Sequence, residues 1–364
     1  MRPFCLEELR EGLAQQLTRY PVQRPEDVVK FCYQRAFGAA HFCGGEKLAL
    51  ERLEQECAAL APNAAAPLIE SLGGGACRLS LEVALAADIP LPVLARAFAA
   101  DAAAVVPAPD WFESALQALP GLTDTLPFPF TRQEMENYLE EYRRQGCPAV
   151  SHSLQFHRQY QPHYRVFAGP VAPLLPLLAA ICAARRRLPE EKRLAVAMDG
   201  FSAAGKTTAA ALLGKILPAD IVHMDDFFLP PALRTPERFT QPGGNVHYER
   251  FAQEVAPYLE QRQAFSYQRF ECSRMELGPM VPVGDGPIVL VEGAYALHPG
   301  CQGRYGVASF FDIDPEQQRR RILDRNGPAM LRRFEEEWIP LERKYAQAFG
   351  LPQAAQLVIQ SSHR

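Results

Sequence analysis

The chain has 364 residues, 48% hydrophobic and 22% charged, with a formal net charge of −4. That length accommodates two domains, each able to bury its own core, and the composition is that of a globular chain rather than a disordered one. The mild acidity argues against a large nucleic-acid footprint, and no apolar stretch reaches spanning length, so neither nucleic acid nor membrane is an expected partner.

The opening Met-Arg-Pro-Phe-Cys-Leu-Glu-Glu-Leu has no apolar core of the kind a signal peptide requires. Nine cysteines run from Cys5 to Cys301 without a Cys-x-x-Cys pair. Reduced thiols in a cytoplasmic protein fit that pattern better than a disulfide framework. His41 and Cys43 lack a second pair at ligand spacing, so packing is expected there rather than zinc.

From the start to about residue 146, apolar residues recur at three- and four-residue spacing, with helices expected over 25–37, 46–60, 91–103 and 131–144. Thr131 and Glu134 form a capping box for the last of these. This half reads as an all-α domain. The stretch 148–167, rich in His, Tyr and Arg, is expected to be an amphipathic connector. Gly169-Pro170 opens a Leu-rich helix that ends at Arg185-Arg186-Arg187, where the cations face the negative pole of the helix. The expected division is 1–168, a mostly α-helical domain, and 169–364.

The second part alternates strand and helix in the order a parallel sheet requires. Strands are expected at 194–198, 220–223, 265–270, 288–291, 309–313 and 356–360, and helices at 248–259, 315–325 and 334–349. The expected fold is α/β, a parallel sheet with helices on both faces and ligands at the carboxyl ends of the strands.

The strand at 194–198 leads into Gly200-Phe-Ser-Ala-Ala-Gly-Lys-Thr-Thr208, a complete Walker A pattern in a chain whose basic residues are mostly Arg. A strand delivering a glycine-rich turn into a helix lets successive backbone N–H groups cradle a phosphate, and the helix N-terminus adds positive potential. The binding set is Gly200, Ser202, Ala203, Ala204, Gly205, Lys206, Thr207 and Thr208. Lys206 is placed to reach the β- and γ-phosphates of ATP, and the Thr207 hydroxyl to ligate Mg²⁺.

Two acids stand where strands end. Phosphoryl transfer asks a protein to place a metal, neutralise developing charge and orient the acceptor hydroxyl through a carboxylate. Asp225, in Met224-Asp-Asp-Phe-Phe228, is the candidate for that carboxylate, with Asp226 as its fallback and metal ligation as its other role. Glu292, in Val291-Glu-Gly293, is the candidate for holding Mg²⁺.

These motifs, with an Arg-rich helix after Phe311-Asp-Ile-Asp314, resemble the uridine kinase and phosphoribulokinase family of P-loop kinases over about 190–361. The resemblance implies a nucleoside-kinase-like fold and transfer of the ATP γ-phosphate to a hydroxyl of a small molecule, with Asp225 as general base. It also implies a mobile lid whose arginines match Arg321 and Arg325, and less clearly Arg332 and Arg333. In Tyr267-Gln-Arg-Phe-Glu-Cys-Ser-Arg274, Tyr267 matches the family's base-contacting tyrosine, while Cys272 stands where a histidine is expected; Arg274 closes the segment. His247 stands where the family has a ribose-binding aspartate. These departures predict that uridine is a poor acceptor. Two other readings are a kinase for a different metabolite, of nicotinamide riboside, pantothenate or sugar-phosphate type, and an ATP-driven switch. For the helical half, shaping of the pocket, homo-oligomerisation and binding of a regulator all stay open.

Overall fold

A computed structural model describes residues 4–361. The chain divides into two compact units, 1–175 and 176–363, and each has its own core. The division falls at the start of the helix Leu175–Arg186.

In the first unit, the helices Leu6–Arg19, Pro25–Phe37, Glu46–Cys57, Leu91–Ala103, Pro109–Leu122 and Arg132–Arg144 bury Leu13, Phe31, Leu53, Phe98, Leu116 and Met135. The Thr131 side chain accepts from the Glu134 N–H, and the Glu134 carboxylate accepts from the Thr131 N–H, closing the expected capping box. One feature corrects the all-helical reading. Strands β1 (Ile69–Gly73), β2 (Ala76–Ser80) and β3 (Tyr164–Phe167) form an antiparallel sheet in that order. Strands of four and five residues are too short for a period of two to stand out, and the run Gly73-Gly74-Gly75, all at positive φ, supplies the turn between β1 and β2. The 148–167 stretch is therefore built structure, since it contributes the helix Leu154–Tyr160 and β3.

Beneath this sheet lies a buried polar network. Asp27 accepts from His152 Nδ1–H at 2.9 Å and from the Ser153 N–H and hydroxyl at 2.9 and 2.7 Å. Tyr164 donates its hydroxyl to His152 Nε2 at 2.6 Å and accepts from Gln34 Nε2 at 2.9 Å. Gln34 in turn accepts from Arg78. Every member found here has a partner, as burial of such groups demands.

In the second unit, β4 (Leu194–Gly200), β5 (Ala219–His223), β8 (Ile288–Glu292), β9 (Val307–Asp312) and β10 (Leu357–Gln360) form a parallel sheet ordered β10-β9-β4-β8-β5. All seven residues of β4 and all five of β8 are buried. Strands covered on both faces read as continuous apolar runs, which is why they were legible. The remaining strands, β6 (Phe265–Glu271) and β7 (Glu276–Val283), make a separate antiparallel hairpin, so 265–270 does not join the parallel sheet. Register aligns the sheet's carboxyl edge. Met198 of β4 pairs with Glu292 of β8, and Glu292 pairs with His223 of β5. Three strand ends therefore open at one level.

The C-terminal helices complete the unit. The helix Pro315–Arg333 is kinked at Gly327, whose φ is 78°, ahead of Pro328, and a wide turn at Phe334–Trp338 leads into the helix Ile339–Ala348. The helix expected at 315–325 thus runs longer, and the one expected at 248–259 is shorter, at Tyr248–Glu254. Among the described residues, no helix is long and apolar enough to cross a membrane.

Candidate active site

The loop between β4 and the helix Lys206–Ile216 has the backbone its glycines permit. Gly200 lies at φ 141° and Gly205 at φ 96°. A Cβ at position 200 would stand 2.2 Å from the Phe311 carbonyl of β9, so only glycine fits there. Ala203 is held at φ 61°, a conformation that strains a residue with a Cβ. Lys206 is buried, and its ammonium donates to the carbonyls of Gly200 and Phe201, each at 2.8 Å. The side chain thus lies folded back on the loop itself. Thr207 and Thr208 are exposed on the first turn of the helix.

Glu292 is the centre of the carboxyl edge. It is buried, accepts from the Thr207 hydroxyl at 3.1 Å through Oε2, and is bonded to His223 Nδ1 through Oε1. That bond, followed by the charges of Glu292, Asp226 and Asp225, raises the His223 pKa against the cost of burial. Asp225 is exposed at this edge. Its surroundings raise its pKa, first by desolvation and then by the Glu292 charge, while Lys206 and His223 pull the other way. The carboxyl edge therefore carries a lysine, a threonine hydroxyl, a histidine and two carboxylates.

Asp226, the fallback acid, is committed elsewhere. Its carboxylate accepts from the Tyr267 hydroxyl at 2.8 Å and from Arg269 Nε at 3.0 Å. The register of β6 shifts between Gln268 and Phe270, and Tyr267 and Arg269 on either side of Gln268 both reach the same carboxylate. Tyr267 is fully buried. Its ring is enclosed and its hydroxyl is taken by Asp226. His247 also has a local task, since its Nδ1 accepts from the Arg250 N–H at 3.3 Å and caps the helix Tyr248–Glu254. Cys272 and Arg274 stand at the exposed tip of the β6–β7 hairpin. Partial desolvation and then the Asp225 charge raise the Cys272 pKa. Arg274 pairs with Glu276 at 2.6 Å and Glu271 at 3.7 Å.

The arginines expected on a lid divide. Arg321 donates to the Ala203 carbonyl at 3.0 Å and to Ser361 Oγ at 2.5 Å, so it braces the loop. Arg325 is exposed and bonded to Asn326. Arg332 is exposed, and Arg333 pairs with Glu337 at 3.1 Å. None of these three contacts the loop in this conformation.

Several site residues escaped the sequence reading. Asp199, immediately before Gly200, is buried and accepts from the N–H groups of Gly200, Tyr295 and Leu297 and from the Tyr345 hydroxyl. Glu342, also buried, accepts from the Ser202 N–H at 2.9 Å and from its hydroxyl. Asp199 had a signal in its position at a strand end beside the motif. Glu342, 140 residues from Ser202, had none. Beside the loop, a cleft of ≈ 470 Å³ is lined by Phe201, Asp312, Asp314, Gln318, Arg343 and Gln360.

No protein-family model matches the chain, and no curated protein does. Among solved structures, it is similar to a possible uridine kinase from Bacillus stearothermophilus at 18% identity and a TM-score of 0.39, over 51% of this chain and 100% of that one. It is also similar to a candidate fructose transport system kinase from Silicibacter sp. TM1040 at 23% identity and a TM-score of 0.42, over 51% of this chain and 98% of that one.

Proposed function

We propose that the second unit is an ATP-dependent phosphotransferase that moves the γ-phosphate to a hydroxyl of a small metabolite, in the manner of the uridine kinases its motifs resemble. One observation carries the reading. The carboxyl edge of one parallel sheet brings together Lys206 and Thr207 after β4, Glu292 at the end of β8 and Asp225 after β5, with Thr207 and Glu292 in direct hydrogen bond. A strand-terminal acid used only as a turn former has no reason to be buried against a phosphate-binding loop.

In this mechanism the N–H groups from Gly205 to Thr208 receive the phosphates, and Lys206 exchanges its two carbonyl partners for phosphate oxygens. The donor set suits a hard cation. Among the described residues, no group of three or more His, Cys, Asp or Glu side chains forms a metal cage, but a threonine hydroxyl and a carboxylate at 3.1 Å match the sparse protein share that Mg²⁺ takes beside phosphate oxygens. Thr207 and Glu292 would hold Mg²⁺, and the chemistry the ion would supply there is neutralisation of the charge developing on the phosphates. Asp225 accepts the acceptor's hydroxyl proton as the oxygen attacks, and its raised pKa favours that role. The ≈ 470 Å³ cleft beside Phe201 has room for the nucleoside part of ATP.

A panel of nucleosides, vitamins, sugars and sugar phosphates, assayed for acceptor-dependent ADP release, tests the reading. Release stimulated by one of them supports it. Slow hydrolysis indifferent to every acceptor would instead favour an ATP-driven switch.

A further inference from the structure

The loop that receives the phosphates is held from outside by the two C-terminal helices. Glu342, on the helix Ile339–Ala348, takes both the N–H and the hydroxyl of Ser202. Tyr345, one turn further along the same face, donates to Asp199 at 2.6 Å. These contacts bracket Gly200 from either side. On the helix Pro315–Arg333, Gln318 Nε2 donates to the Ser202 carbonyl at 3.0 Å and Arg321 to the Ala203 carbonyl at 3.0 Å. The strained Ala203 thus has its own carbonyl and both backbone groups of its neighbour Ser202 tied to the two helices.

A carboxylate is a costly way to fill space. Glu342 is 5% exposed, and burial raises its pKa while the charge of Lys206 and the Ser202 bonds lower it. Such a group is tolerated where it satisfies donors that have no other partner. The Ser202 N–H points out of the turn toward the helix, and Glu342 is what it finds there. The helix carrying Glu342 continues, through the wide turn at Phe334–Trp338, from the helix that carries Arg321 and Arg325.

We propose that Glu342 is a positioning residue for nucleotide binding: it holds Ser202 so that the following N–H groups stand ready for the phosphates, and it couples the arginine-bearing helix to the loop. This rests on the loop being a nucleotide site, and the experiment separates the two ideas. The full-length protein is titrated with a fluorescent N-methylanthraniloyl ATP, and kcat, KM for ATP and Tm are measured alongside. Wild type is expected to bind the probe and Lys206→Ala to bind it weakly. Glu342→Gln, of the same shape, is expected to weaken probe binding about tenfold with Tm within a few degrees of wild type, because it replaces two charge-assisted bonds to Ser202 with weaker neutral ones. Adding Ser202→Ala to Glu342→Gln is expected to cost little more, since both act through one contact. Tyr345→Phe, which releases Asp199 while keeping the ring, provides a second variant and is expected to shift the Kd in the same direction.

Unchanged Kd and KM in Glu342→Gln would overturn the proposal, whether or not Tm falls. Tighter probe binding would overturn it too, by showing that the carboxylate competes with phosphate. If wild type binds the probe and the Glu342 effect appears but no acceptor is phosphorylated, the phosphotransferase reading fails and the positioning role stands. If wild type does not bind the probe, both fail.

Discussion

The hydroxyl of Thr207 donates to Glu292 Oε2 at 3.1 Å, joining the first turn of the helix after β4 to the last residue of β8. Two side chains 85 residues apart meet because β4 and β8 are parallel neighbours in register, so their carboxyl ends open side by side. The same edge fixes what single substitutions are expected to do.

Lys206→Ala is expected to abolish phosphoryl transfer, with a loss of at least about 10²–10³ in kcat, the scale for removing one charge-stabilising donor. The fold should persist, because the ammonium's partners are two loop carbonyls and not a packed core. Turnover within a few fold of wild type would remove the phosphate-loop assignment.

Asp225→Asn is expected to lower kcat by about 10²–10⁴ with little change in ATP affinity, as for loss of a general base. The readouts are kcat with the best acceptor and the Kd of the nucleotide. A variant that no longer binds ATP with Mg²⁺ would reassign Asp225 to the metal.

His223→Ala removes the partner that orients the second oxygen of Glu292. The Mg²⁺ concentration for half-maximal activity is expected to rise about 10-fold, within the range seen when the partner of a metal-ligating carboxylate or imidazole is removed. An unchanged Mg²⁺ titration would show that Glu292 holds no cation.

The pocket departures are tested by His247→Asp with Cys272→His. Aspartate is a good helix N-cap, so the substitution keeps the role His247 plays for the Arg250 N–H. Uridine turnover is expected to rise over a poor wild-type value, with each recovered hydrogen bond worth about 1–3 kcal/mol. Efficient wild-type phosphorylation of uridine would show that the departures do not govern acceptor choice.

The first unit has its own pH signature. Burial lowers the His152 pKa from 6.5 to about 3 despite the Asp27 bond. As pH falls below 6.5, the unfolded chain takes up this proton before the folded one does. Stability is therefore lost between about pH 6.5 and 3, by up to about 1.4 kcal/mol per pH unit for one site. The carboxyl of Asp27, which burial pushes up but the combined hydrogen bonds from His152, Ser153 and Arg24 bring below the ordinary value, loses its contribution in the same direction as it protonates. Urea midpoints of the first unit measured from pH 7 to 4 are expected to fall in wild type and to flatten in His152→Gln. Parallel curves would contradict a neutral buried imidazole.

The glycine loop, the buried strands β4 and β8, and the acids at Asp225 and Glu292 were legible in the sequence for local reasons. A strand buried on both faces is a continuous apolar run, and the glycine-rich pattern of the loop lies within nine consecutive residues, 200–208. The helices Pro25–Phe37 and Leu91–Ala103 were legible through periodicity, because one face of each packs in a core. Tertiary structure decided the rest. Whether Tyr267 met a ligand or Asp226 depended on where the β6–β7 hairpin folded, which alternation along one strand does not encode. The bond of Arg321 to Ala203 and those of Glu342 to Ser202 depend on helices brought back across 118 and 140 residues. Hydrogen bonds of that reach follow from packing, and no local pattern in the chain carries them.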